Sequence, residues 1–146
     1  MSDLYELQLV LDLPDSLPDT DLALLQWHLG ERDDDPENPD AYPLLASRGP
    51  ASRIGGALVG VLVQGARGWA LTVRQEVHPD EFDRLRELVV WLGRRTSTFG
   101  AIGYLRFLEN DVPDVLVADT ASGTVRRLTP TSGPAEEIDP IPDPWG

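Results

Sequence analysis

The chain has 146 residues, 41% of them hydrophobic, with 13 prolines, no cysteine and a formal net charge of −13. That length suits one domain, and the lack of cysteine excludes disulfides, thiolate catalysis and zinc–thiolate sites. The charge is uneven: residues 1–55 carry a net −9, residues 56–128 are neutral, and residues 129–146 carry four acids and no base.

The segment Leu4 to Leu13 alternates, with Tyr5, Leu7, Leu9 and Leu11 on one face and Glu6, Gln8 and Asp12 on the other. Period two with one polar face predicts a half-buried strand. Pro14-Asp15-Ser16 turns the chain, and Ser16 with Asp19 makes a capping box for a helix carrying Leu22, Leu25 and Leu29 with Leu24 and His28 alongside. Gly30 ends that helix. Residues 31–55, with Asp33-Asp34-Asp35-Pro36-Glu37-Asn38-Pro39-Asp40, show no periodicity and read as a long acidic loop. Ala57 to Val63 and Trp69 to Val77 form a hairpin around Gln64-Gly65-Ala66-Arg67.

His78-Pro79-Asp80-Glu81 opens the strongest helix, whose Phe82, Leu85, Val89 and Leu92 make a core stripe. Arg94 and Arg95 suit its C-terminal end, where the helix dipole favours cations. Strands follow at Ala101–Leu108, Val115–Ala118 and Thr124–Leu128, and the tail from Thr129 is proline-rich. The order β-α-β-β-α-β predicts an α+β fold of the ferredoxin-like sandwich type over residues 1–128, with an extra C-terminal hairpin and an extended acidic tail over 129–146. Both helices would cover one sheet face. The other would present Glu6, Gln8, Thr72, Arg74 and Glu76, with either Tyr104 and Arg106 or their neighbours.

That face is the first candidate site for a ligand or partner: Glu6, Gln8, Arg74, Glu76, Tyr104 and Arg106. Arg74 and Glu76 with Arg106 and Glu109 could clamp a carboxylate, or simply form a cross-strand salt-bridge ladder. The second candidate is the acidic loop and tail, Asp33, Asp34, Asp35, Glu37, Asp40 and Trp145. Asp33-Asp34-Asp35 does not make a calcium loop, because positions six and twelve hold Asn38 and Leu44 instead of Gly and Glu. His28 reads as a hydrogen-bonded core residue and His78 as a turn residue, neither with a visible nucleophile or orienting acid. Gly55-Gly56 and Gly60 fall at a strand start, so no phosphate loop is present. Phe99-Gly100-Ala101-Ile102-Gly103-Tyr104 partly matches an RNA-binding aromatic motif, but lacks its basic residue and follows the second helix. With a pI near 4.3 the field opposes phosphate, so no nucleic-acid partner is expected.

All twelve basic residues are arginine, as in GC-rich coding sequence. Through Arg74-Gln75-Glu76-Val77-His78-Pro79-Asp80-Glu81-Phe82 and Gly103-Tyr104-Leu105-Arg106-Phe107 the chain resembles a family of acidic α+β proteins from high-GC actinobacteria, a likeness that implies no activity. The second half is also faintly similar to ferredoxin-like bacterial toxin-immunity proteins. There too a helix leads into a strand with an aromatic-Gly start, an acidic hairpin and a proline-rich acidic tail.

These readings converge on a non-enzymatic, acidic protein-binding module without cofactor or metal, whose partner is a basic protein such as a toxin. The alternative is a small-molecule-binding or enzymatic dimer, paired through the sheet around a pocket. No apolar run nears the roughly 18 residues of a membrane span and Met1-Ser2-Asp3-Leu4 has no basic n-region, so a cytoplasmic protein without membrane contact is expected.

Overall fold

The computed structural model describes residues 3–33, 41–131 and 134–140. They form an α+β fold: one seven-stranded antiparallel sheet and two α-helices. In chain order the elements are β1 (Tyr5–Pro14), α1 (Asp19–His28), β2 (Gly49–Pro50), β3 (Ala57–Gly65), β4 (Gly68–Val77), α2 (Phe82–Arg95), β5 (Gly100–Phe107), β6 (Asp114–Asp119) and β7 (Thr124–Leu128). A 3-10 turn, Pro79–Glu81, leads into α2. Across the sheet the order is β2-β3-β4-β1-β5-β6-β7. The sheet is therefore larger than β-α-β-β-α-β provides. The two-residue β2 adds to β3, and the β6–β7 hairpin continues the sheet beyond β5 instead of hanging from it.

Strand β1 is central because its alternation gives it one fully apolar face. Leu7, Leu9, Leu11 and Leu13 are buried, in one core with Leu71 and Val73 of β4, Leu25 of α1 and Leu85, Val89 and Leu92 of α2. Both helices thus pack on the same sheet face. The expected Ser16–Asp19 capping box does not form: α1 starts at Asp19, with Pro18 extended at its N-cap and no side-chain cap. A helix capped by Ser16 would need Leu17 in helical conformation, which the ring of Pro18 disfavours. In that same first turn of α1, Asp21 accepts from Arg95 at the C-terminal end of α2 at 2.8 Å, and Arg95 also lies over the Trp91 ring, joining α2 to α1.

The 31–55 segment departs most from its aperiodic appearance. Its second half is core: Leu44 and Leu45 are buried, and the Leu44 amide donates to His28 Nδ1 at 3.3 Å. Gln75, buried on β4, accepts from the Ser47 amide at 3.1 Å and donates to the carbonyls of Ser47 and Val59. Arg48 donates to the carbonyls of Leu29, Leu45 and Gly60. Polar anchors of this kind satisfy backbone groups that no ladder reaches, and they leave no hydrophobic period to read.

Candidate binding face

The register places all six expected residues on the sheet face away from the helices. Glu6 of β1 lies opposite Glu76 of β4 and Arg106 of β5, and Gln8 opposite Arg74 and Tyr104. Glu6, however, is not presented to solvent as expected: it is 4% exposed. Arg74 donates to its Oε2 from Nε at 2.8 Å and lies 2.7 Å from it through Nη2. Arg106 Nε reaches Oε1 at 3.0 Å, and the Tyr104 hydroxyl reaches Oε2 at 3.1 Å. Burial pushes the Glu6 carboxyl up, but the bonds from Arg106 and Arg74, the charge of Arg74 and the Tyr104 hydroxyl outweigh it, and the net direction is down. The same burial and the Glu6 charge push the Tyr104 hydroxyl up, so it remains a donor.

Each arginine is also tied to backbone. Arg74 donates to the carbonyls of Ile54, Gly55 and Ala57, and Arg106 to those of Leu108 and Asn110. The carboxylate these arginines clasp is the chain's own, and an anionic ligand would have to displace it. Glu109, expected beside Arg106, is exposed and makes no ion pair among the described residues.

Glu76 has a different task. Its carboxylate accepts from the amides of Ser52, Arg53 and Ile54 at 2.9, 2.8 and 3.2 Å and from the Ser52 hydroxyl at 3.1 Å. This holds the segment after β2 across one end of the face and buries Ile54. Burial again acts upward on the Glu76 carboxyl, and the three amides and the hydroxyl bring it below its ordinary value. Glu76→Gln, which puts an NH₂ group among these donors, is expected to cost about 1–2 kcal/mol. Amide hydrogen exchange should then accelerate at Ser52, Arg53 and Ile54 while the β1 and β4 amides stay protected.

The other end of the face is open and apolar. Val10, Val61 and Val63 are 49%, 44% and 54% exposed. Thr72 lies between Val10 and Val61 in register, and Ala70 between Asp12 and Val63. Among the described residues β3 has no strand on its outer side beyond Leu58. Of the five long strands and β7, only β3 contains no charged residue, and that lack of charge is the sequence signal that could have located the patch. Edge strands are ordinarily protected by charge, proline or a bulge, and β3 has none of these from Val59 to Gly65.

The second candidate group stays mostly out of view: Asp33 is exposed, and Asp34, Asp35, Glu37, Asp40 and Trp145 lie outside the described residues. Among the described residues no group of three His, Asp or Glu side chains could hold a metal ion, and no helix is long and apolar enough to cross a membrane. The architecture and face together define an α+β protein with a large antiparallel sheet, whose outer surface is closed around Glu6 by its own side chains. Compared with family models, curated proteins and solved structures, the chain matches none.

Proposed function

We propose that this chain is a non-enzymatic protein-binding module that contacts a basic partner through the open end of the sheet. The observation that carries this reading is the Val10–Val61–Val63 patch beside a strand edge that is uncharged and, among the described residues, unpaired beyond Leu58. Interfaces join an apolar centre to a polar rim. Here the apolar centre belongs to a chain of net charge −13, which would speed encounter with a basic surface. The same reading places the fold with ferredoxin-like sandwiches: β3-β4-β1-β5 has the strand order of that core, enlarged at both edges. Immunity to a basic toxin is its most specific form.

The test is capture from a lysate of the source organism by the full chain and by Val61→Thr/Val63→Thr, which keeps β-branched residues on the strand. The intact chain should retain a basic protein that the variant loses. Raising salt from roughly 50 to 500 mM should weaken that complex about tenfold, chiefly through the association rate. Equal capture by both chains, or an affinity indifferent to salt, would reject the reading.

A further inference from the structure

Two helices cannot cover seven strands, and the uncovered part on the helix side has a definite shape. Helix α2 and the β5–β7 wing enclose a cleft of about 320 Å³. One wall is the α2 flank of Phe82, Leu85, Val89 and Val90; the other is Leu105, Leu116 and Val125, with Leu7 of β1 at the floor. At its C-terminal end α2 closes on β7, since Gly93 leaves room for a Val125 methyl where a side chain would stand. Nearer the helix start, the same wing leaves the cleft open beside α2. A twisted sheet against a straight helix produces such a divergence. Its walls are chiefly apolar, with Leu7, Leu85, Val89, Leu105 and Leu116 buried, so the cleft offers an apolar guest contact on both sides.

Two guanidiniums stand on the rim, Arg86 from α2 and Arg127 from β7. Arg127 Nε is bonded to Asp114 at 2.6 Å, while Arg86 has no ion pair among the described residues. We propose that this cleft binds a small amphipathic monocarboxylate, its hydrocarbon chain between α2 and β5–β7 and its carboxylate on Arg86, with Arg127 second. The volume lies at the low end for ligand pockets, which sets the size class. One guanidinium without an ion pair among the described residues, in a chain of −13, suits a single negative charge and disfavours a dianion. The described part of the acidic tail does not occupy the cleft: residues 134–140 are exposed, Ile138 to 96%. This site is separate from the valine patch, on the opposite face of the sheet.

The experiment is titration of the full chain with decanoate and with decanol, followed by methyl NMR and calorimetry. Decanoate should bind saturably, shift the methyls of Val89, Leu116 and Val125, and bind about tenfold tighter than decanol. Shortening the chain should weaken binding about fourfold per methylene. Arg86→Gln, an exposed substitution whose folding is checked by its melting temperature, should abolish the preference for decanoate without affecting decanol. Val90→Trp should fill the cleft and remove both. The proposal is overturned by absence of saturable binding, by equal affinity for acid and alcohol, or by shifts confined to Val61 and Val63. It is overturned equally if Ile138→Ser tightens decanoate binding severalfold, which would make the tail the resident guest.

Discussion

Replacing Glu6 by leucine is expected to lower stability by about 3 kcal/mol, because it leaves Arg74 and Arg106 partly buried without their counter-charge. For a chain of this size that corresponds to a fall in melting temperature of roughly 6–12 °C. The loss comes from isolating the arginines more than from losing attraction, and a second variant separates the two. In Glu6→Leu/Arg74→Met/Arg106→Met no charge is left alone, and its melting temperature should return most of the way to that of the parent. If Glu6→Leu melted within about 2 °C of the parent, the clasp would carry no stability. Acid titration gives the independent check. The Glu6 and Glu76 carboxyls lie below their ordinary value of 4.5 in the folded chain. The unfolded chain therefore binds protons first as pH falls, so this stabilisation is complete above 4.5 and lost as pH drops through the folded values. As pH falls below about 4.5 the triple variant should lose less stability than the parent.

Gly103→Ala is expected to be as damaging, by a different route. A methyl group there would press into the Gln8 carbonyl oxygen of β1 and lie 3.0 Å from the Leu9 Cα. Both are backbone of the central strand, so no side chain can swing away, and β5 must separate from β1. The cost should reach about 3 kcal/mol, the upper range for an overpacked core. Gly60→Ala is the matched control, since the nearest atoms its added carbon meets belong to the guanidinium of Arg48, a side chain that can move. Arg48 would give up its bond to the Gly60 carbonyl, at about 1 kcal/mol. Equal melting temperatures for the two variants would show that the β1–β5 approach is not tight. Because Tyr104 and Arg106 follow Gly103 on β5, Gly103→Ala should also loosen the Glu6 clasp, and its effect should not add to that of Glu6→Leu.

Much of the scaffold is legible in the chain where burial imposes a period. The alternation of Tyr5 to Leu13 and the 3.6-residue stripe of Leu85, Val89 and Leu92 both appear in the core as read. Residues 41–55 are not legible in this way. Leu44 and Leu45 are core residues without a periodic neighbour, held in place by Gln75, Arg48 and His28, which are remote in sequence or carry no hydrophobic signal. The candidate face is legible only as a set. Its six residues do share a side of the sheet, yet nothing local shows Glu6 to be the counter-ion that occupies both arginines.

Sequence alone settled which side of β1 enters the core, that two helices cover one face, and that the acid lies chiefly outside the β3–β7 region. The first and last follow from local period and composition, which act over a few residues, and the second from the order of the elements and the right-handedness of β-α-β connections. Tertiary structure decided the phase of β5. The register shift between Ala101 and Gly103 inserts a residue, so Ile102 and Leu105 both turn inward while Tyr104 and Arg106 turn toward Glu6. A strand's alternation gives its two faces but not their assignment once a bulge breaks the count. Tertiary structure also decided that β6 and β7 extend the sheet past the reach of α2. The cleft of Leu105, Leu116 and Val125 exists because strand pairing extends the sheet by backbone hydrogen bonds, whether or not a helix remains to cover it.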